Sequence, residues 1–126
     1  MDQEKILVID DDIHIRQIVT IKLEGAGFTV KPVANGTLGL EAAKTFLPDL
    51  IVSDFSIPGG IQGVELLREL RAREETADVP IILLTSSAEV ATNVDENIGD
   101  LAGVTYLAKP FSPRNLVKQA KELLGV

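Results

Sequence analysis

The sequence contains no cysteine, which excludes disulfide bonds and thiolate metal sites. We therefore expect a reducing, cytoplasmic location. No apolar run approaches the roughly 20 residues of a membrane-spanning helix. The first residues, MDQEK, lack the basic and then apolar layout of a signal peptide. These absences predict a protein that does not insert into a membrane.

Positive charge is also scarce. The chain has 12 lysines and arginines against 19 aspartates and glutamates, a net charge of −7. Phosphate backbones are bound by basic patches, so we expect no direct nucleic-acid binding by this domain. Most of an acidic excess forms a solvated surface. Some of these acids, however, cluster at positions that such a surface does not explain.

What the sequence does contain is enough for one globular domain. Its 126 residues are 45% hydrophobic, which suits a single packed core and predicts one domain over residues 1–126. Five short apolar runs recur along the chain, and we interpret them as β-strands: KILVID (5–10), FTVKPV (28–33), LIVSD (50–54), PIILLT (80–85) and VTYLA (104–108).

Helical patterns separate these runs. The first helix has apolar residues at helical spacing and should stop at Gly25. The second should begin after Asn35, which would be its N-cap. The last should begin with Ser112 as its cap and Pro113 at the first helical position. The segment after the fourth strand, SSAEVATNVDENIGDLAG, contains two asparagines and Gly99, which predicts a short, bent or frayed helix. Five strands alternating with five helices indicate an α/β fold with a doubly wound parallel sheet.

Polar residues stand at the ends of four predicted strands. Asp10, Asp11 and Asp12 follow the first, Asp54 ends the third, Thr85 ends the fourth, and Lys109 follows the fifth. In an open parallel sheet, ligands bind at the carboxyl ends of the strands. We therefore expect these carboxylates, the hydroxyl and the ammonium to share one shallow pocket.

Such a cluster requires a cation, because two carboxylates about 4 Å apart repel by roughly 4 kcal/mol at an effective dielectric near 20. Oxygen ligands favour a hard ion, and Mg²⁺ accepts one or two carboxylates together with phosphate oxygens. Asp54 would then be a nucleophile that forms an acyl phosphate. Lys109 and the Thr85 hydroxyl would hold the remaining phosphoryl oxygens.

With these residues in place, the sequence resembles, from end to end, the response-regulator receiver domains of two-component signalling, including the chemotaxis regulators. The resemblance is carried by four motifs in order, which are Asp10-Asp11 after ILVI, Asp54 within DFSIP, Thr85 after PIILL, and Lys109-Pro110-Phe111. It implies a flavodoxin-like strand order, 2-1-3-4-5. It also implies a protein that catalyses only its own phosphorylation and dephosphorylation.

The resemblance further assigns roles to individual residues. Asp10, Asp11, Asp54 and the backbone carbonyl of Ser56 would bind Mg²⁺, and Asp54 would take phosphate from a sensor histidine kinase or a histidine phosphotransfer protein. Thr85 and Tyr106 match the family's switch pair, which reshapes the face made by the fourth helix, fifth strand and fifth helix. Ser56 and Ser87 would flank the path of an attacking water.

The resemblance also bears on partners. The phosphodonor would contact Ile13 to Thr20 and Pro110 to Ser112. The output would be a downstream protein or an attached effector domain, and the switch face would allow a homodimer.

The sequence departs from the family pattern in three places. Ile57 stands where methionine is usual, the PGGIQG loop is one residue longer, and the distance from Thr85 to Lys109 is about two residues longer. The last departure affects the output face more than the chemistry. It keeps open the alternative of an unphosphorylated docking scaffold.

Other interpretations concern individual residues. Asp10 and Asp12 read together as the Asp-x-Asp of an aspartate-nucleophile phosphatase, although His14 stands where that family has threonine or valine. We interpret Asp12 as a helix cap and the only histidine, His14, as a surface residue. Tyr106 is either part of the switch pair or a half-buried strand aromatic.

Overall fold

The computed structural model describes residues 3–54, 63–85 and 103–126 of the chain. Its centre is a five-stranded sheet in the order β2-β1-β3-β4-β5, with every neighbouring pair parallel. The strands are β1 (Lys5–Ile9), β2 (Thr29–Val33), β3 (Leu50–Asp54), β4 (Ile81–Thr85) and β5 (Val104–Ala108). The predicted parallel sheet and its 2-1-3-4-5 order are confirmed.

The strands differ in burial according to their position. The inner strands β3 and β4 are buried at every residue, as expected for a sheet covered on both faces, and their sequences are almost continuously apolar. The edge strands β2 and β5 are mostly exposed or half-buried. Because the inner strands have no solvent-facing side, their sequences are runs of apolar residues, and these runs predicted where the strands lie.

Four helices pack around the sheet among the described residues. They are α1 (Ile13–Gly25), α2 (Gly36–Phe46), α3 (Gly63–Ala72) and α4 (Pro113–Leu124), the last being the predicted fifth helix. Asn35 caps α2 through a hydrogen bond from the Leu38 amide at 2.9 Å, and Ser112 caps α4. The helix predicted between the fourth and fifth strands falls on residues 86–102, outside the described residues.

Two apolar clusters hold the layers together, one on each face of the sheet. Alternate strand residues contribute to each, so that Leu7 and Ile9 face α2 and α3 while Ile6 and Val8 face α1 and α4. Fully buried leucines of α3 and α1, such as Leu67 and Leu23, complete the two clusters. This packing fixes the strands, and thereby the residues that follow them.

Within the described ranges, no helix combines the length and the apolar character that crossing a bilayer requires.

Candidate functional site

The predicted site residues meet at the carboxyl edge of the sheet. Ile9 of β1 lies opposite Ser53 of β3, so Asp10 and Asp54 leave adjacent strands at the same level. Thr85 lies opposite Ala108 of β5, and the Lys109 amide donates a hydrogen bond to the Thr85 carbonyl oxygen at 2.7 Å. The parallel register therefore brings four strand ends to one place.

Three of these residues form an acidic cluster. Carboxylate oxygens of Asp10, Asp11 and Asp54 all lie within 4.8 Å of one another. Asp10 is fully buried, Asp54 is 6% exposed, and Asp11 is exposed to solvent. Carboxylates at this separation, open on one side, match the few protein oxygens that Mg²⁺ takes while it keeps several waters. The donor set therefore fits a hard divalent cation.

The Asp10 carboxylate has one oxygen satisfied and one not. Its Oδ1 accepts a hydrogen bond from the Asp12 amide at 2.9 Å, whereas its buried Oδ2 has no hydrogen-bond partner among the described residues. Burial raises the pKa of Asp10 to about 6, and the charges of Asp54 and Asp11 add to the rise against the Asp12 amide and the Lys109 ammonium. A buried oxygen without a donor is the feature that a bound cation would complete.

Lys109 supplies the positive charge of the site. Its Nζ lies 2.9 Å from Oδ2 of Asp54, and the two side chains are 33% and 8% exposed. Such a charge-assisted contact is short and strong when it is partly shielded from water. This ion pair places Lys109 to bind either the Asp54 carboxylate or an anion attached to it. The peptide bond between Lys109 and Pro110 is cis.

Thr85 ends β4 with a buried and unsatisfied hydroxyl. The residue is fully buried, and its Oγ1 has no hydrogen-bond partner among the residues that the structure describes. A buried polar group left without a partner costs about 1–3 kcal/mol. This hydroxyl is therefore available to a ligand at the carboxyl edge.

The remaining predicted residues stand as follows. Tyr106 is half-buried in β5 opposite Leu83 and packs against the cluster on the α2 and α3 side. Ser56 and Ser87 lie outside the described residues.

Asp12 and His14 behave as the sequence indicates. The Asp12 side chain accepts hydrogen bonds from the His14 amide at 2.8 Å and the Ile15 amide at 3.4 Å, so it caps α1. The imidazole of His14 is exposed on the first turn. Because Asp12 is engaged by the helix, it is poorly placed for the general acid of an Asp-x-Asp phosphatase.

One residue beside the site, Arg16, was not predicted from the sequence. Arg16 of α1 donates a hydrogen bond from Nη1 to the backbone carbonyl oxygen of Asp10 at 2.8 Å. The only available signal was its place as the one basic residue in the first turn after the acidic strand end.

An apolar groove adjoins Lys109. It has a volume of about 280 Å³, and α1 and the segment after β5 line it with Ile15, Ile18, Val19, Lys109, Pro110, Phe111 and Pro113. The side chain of Ile18 is 46% exposed at this surface. The groove therefore offers an apolar contact surface next to the charged site.

The fold is a doubly wound parallel sheet with three carboxylates, a lysine and a buried hydroxyl at one edge. Such residues are typical of α/β domains that bind a cation together with an anion. Comparison with known proteins narrows this class. The sequence matches the family described as the response regulator receiver domain over residues 6–121. The chain therefore belongs to the response-regulator receiver family of two-component signalling.

Relatives and solved structures agree with this assignment. The DNA-binding response regulator MtrA of Mycobacterium tuberculosis is 36% identical over 97% of this chain and 51% of its own length. The phosphate regulon transcriptional regulatory protein PhoB of Pseudomonas aeruginosa is 36% identical over 94% of this chain and 51% of its own length. The chain thus spans about half the length of these curated relatives.

Among solved structures, chemotaxis response regulator CheY4 of Vibrio cholerae has a TM-score of 0.85 and 29% identity, covering 97% of this chain and 99% of that chain. The receiver domain of sensor histidine kinase PA1611 from Pseudomonas aeruginosa, with a magnesium ion coordinated in its active-site cleft, has a TM-score of 0.85 and 30% identity. That match covers 99% of this chain and 100% of the other.

Proposed function

We propose that this chain accepts a phosphoryl group on Asp54 in a reaction that requires Mg²⁺. The observation that carries the proposal is the position of the Asp54 carboxylate, which lies within 4.8 Å of the acids of the cluster and 2.9 Å from the Lys109 ammonium. Asp54 is also slightly exposed, whereas Asp10 is completely buried. Of these two carboxylates, Asp54 is therefore the one that an incoming phosphoryl donor can reach, and its contact with the Lys109 ammonium distinguishes it from the exposed Asp11.

The cation would be held by Asp10, Asp11 and Asp54, and by the Ser56 backbone carbonyl, as the family resemblance implies. Bound there, Mg²⁺ would supply positive charge that neutralises the acids and the phosphoryl oxygens. The unsatisfied Oδ2 of Asp10 supports this assignment.

The transfer itself is carried by the protein's own groups. An oxygen of Asp54 forms a bond to phosphorus as the phosphorus–nitrogen bond of a donor phosphohistidine breaks, and the imidazole keeps the electron pair and takes up a proton. The Lys109 ammonium moves from the carboxylate to a phosphoryl oxygen. The Thr85 hydroxyl donates to another phosphoryl oxygen, which satisfies a buried group that has no other partner in the described part of the chain.

The donor in this proposal is a sensor histidine kinase or a histidine phosphotransfer protein. The apolar groove beside Lys109 supports a protein donor, because a small-molecule donor needs no such surface. Exposed Ile13 and Ile18 extend the apolar area along α1. These residues fall within the segments that the family resemblance assigns to donor contact.

The output in this proposal is a switch from Thr85 to Tyr106. Thr85 is paired with Ala108, two register positions beyond the Leu83–Tyr106 pair, so Thr85 and Tyr106 belong to the same face of the sheet. A movement of the Thr85 hydroxyl would change the packing of the Tyr106 ring. The signal would pass to a downstream protein, to an attached effector domain or to a second copy of the chain. The DNA-binding function in the name of MtrA belongs to that longer protein.

The test is the intact mass of the protein after incubation with acetyl phosphate and Mg²⁺. We expect one phosphoryl adduct on the wild type, none after treatment with a chelator, and none on Asp54→Asn. The matched control is Asp12→Asn, which removes a neighbouring charge yet keeps the cap, because asparagine caps helices as well as aspartate does. A wild type that stays unmodified and does not bind Mg²⁺ would favour the unphosphorylated scaffold.

The outcome also separates the proposal from an aspartate-nucleophile phosphatase. In such an enzyme the adduct would form on Asp10 and survive in Asp54→Asn. Burial of Asp10 and its raised pKa both argue against that assignment.

A further inference from the structure

Arg16 connects α1 to the strand end that carries the acidic pair. Its Nη1 donates to the carbonyl oxygen of Asp10 at 2.8 Å, in a partly buried contact. This carbonyl belongs to the peptide unit that joins Asp10 to Asp11. Any rotation of that unit would change the direction of both acidic side chains.

Three hydrogen bonds from different parts of the fold fix Asp10. Its amide donates to the Val33 carbonyl of β2 at 3.1 Å, its Oδ1 accepts from the Asp12 amide at 2.9 Å, and its carbonyl accepts from Arg16. The first two hold the amide and the carboxylate. Among the described residues, only the Arg16 contact acts on the carbonyl side, where the chain turns toward Asp11.

The helix itself cannot replace this contact. Its first backbone hydrogen bond runs from the Arg16 amide to the Asp12 carbonyl at 3.0 Å, so the helical ladder begins two residues after Asp10. Within the part of the chain that the structure describes, the Asp10 carbonyl therefore depends on a side-chain donor. A guanidinium holds a planar arrangement of donors, which fixes an acceptor's direction better than a mobile water.

We propose that Arg16 is a positioning residue for the divalent cation: its hydrogen bond to the Asp10 carbonyl orients the Asp10–Asp11 peptide so that both carboxylates face the same ion. This inference rests on the cation site of the proposed function. Groups that hold metal ligands in place are commonly worth a factor of 10–100 in metal affinity.

Charge and position make opposite predictions for this residue. A guanidinium near the site repels a cation, so removing it should tighten Mg²⁺ binding if only its charge matters. If its hydrogen bond orients the ligands, removing it should weaken binding. The direction of the change therefore decides between the two roles.

The experiment is a calorimetric titration of the full chain with Mg²⁺ alone, combined with urea unfolding of each metal-free variant. We expect Arg16→Met, which keeps an apolar stem, to raise the Kd about 10-fold. Arg16→Lys should recover part of the loss, because an ammonium can still donate one hydrogen bond to the carbonyl. Lys22→Met, at an exposed position in the last turn of the same helix, removes equal charge and should leave the Kd unchanged or slightly lower.

The results distinguish the positioning role of Arg16 from the proposed Mg²⁺ site on which it rests. A wild type that does not bind Mg²⁺ overturns both. A wild type that binds while Arg16→Met binds equally or more tightly overturns the positioning role alone. The positioning role is likewise overturned if Arg16→Met lowers the unfolding free energy of the metal-free protein and leaves the Kd unchanged. Should Arg16→Met not fold, Arg16→Ala is titrated in its place, and a Kd equal to or below that of the wild type overturns the inference.

Discussion

Two buried threonines, one in the turn between α3 and β4 and one at the carboxyl end of β4, differ in their hydrogen bonding. Thr76, in the turn before the strand, is fully buried, and its hydroxyl donates to the Leu70 carbonyl. Thr85, at the carboxyl end, is equally buried, but its hydroxyl has no partner among the described residues. The same residue type at the same depth is therefore satisfied at one end of the sheet and unsatisfied at the other.

The acids repeat this contrast. At the amino end of the sheet, Oδ2 of Asp49 accepts a hydrogen bond from the Lys5 amide at 2.8 Å. At the carboxyl end, Oδ2 of Asp10 is buried with no donor from the described residues, and three carboxylates lie close together. At the amino end, the Thr76 hydroxyl and the Asp49 carboxylate both have partners, whereas the buried Nε of Arg73, next to the same turn, has none among the described residues. The carboxyl end leaves polar groups available to ligands, which stabilises a bound state at the expense of the free one.

The largest effect should come from removing the lysine of the carboxyl end. We expect Lys109→Met to lower the initial rate of phosphorylation by acetyl phosphate on the order of 10²-fold, as the loss of one charge-stabilising donor does in other sites. Lys5→Met is the control at the amino end, where the ammonium lies 5.9 Å from the centre of the Phe46 ring. The rates are read from intact mass. Equal rates in Lys109→Met and wild type would remove the lysine from the proposed mechanism.

A change of pH should have the next largest effect, on the stability of the metal-free protein. Burial raises the pKa of Asp10 to about 6 from an ordinary 3.8, so between these values the folded state holds a proton that the unfolded state releases. Stability from this group is therefore full below about pH 4 and is lost as the pH rises through about 6, by on the order of 3 kcal/mol.

The measurement is urea unfolding in a chelator at several pH values, for wild type and for Asp10→Asn. The charged groups that face Asp10 are Asp11, Asp54 and Lys109, and they are unchanged in the variant. The variant should be more stable than the wild type at pH 7, and this advantage should shrink toward pH 4. Parallel curves would show that Asp10 carries no penalty. Saturating Mg²⁺ should reduce the difference, because a cation favours the ionised carboxylate.

Much of this arrangement follows from sequence pattern, for identifiable reasons. The inner strands are almost continuously apolar, so their limits were predicted to within one residue, as for β4 at Ile81–Thr85. Parallel strands place their carboxyl ends at one edge, so the meeting of Asp10, Asp54 and Lys109 was predictable without any contact being known. The Asp12 cap followed from its place just before a helical pattern.

Other features depend on geometry that residue types do not specify. Adjacent acids differ sharply in burial, with Asp10 enclosed and Asp11 exposed, because the chain turns between them. The Arg16 contact depends on the direction of a single carbonyl and the conformation of a long side chain. The hydrogen bond from Thr76 to Leu70 depends on the turn after α3. Each of these requires the three-dimensional path of a loop.

The smallest expected effect is the change in unfolding free energy when the same substitution, threonine to valine, is made at Thr76 and at Thr85. Thr85→Val keeps the shape and removes a hydroxyl that has no partner within the described ranges, so we expect the free energy of unfolding to rise by up to about 1 kcal/mol. Thr76→Val removes the donor to the Leu70 carbonyl and leaves that oxygen unsatisfied, so we expect a fall of about 1–2 kcal/mol. Urea unfolding in a chelator gives both values. Changes of the same sign would mean that the two ends of the sheet are equally satisfied. The expected opposite signs, together with slower phosphorylation of Thr85→Val, would show that the carboxyl end gives up stability to keep a hydroxyl ready for the phosphoryl group.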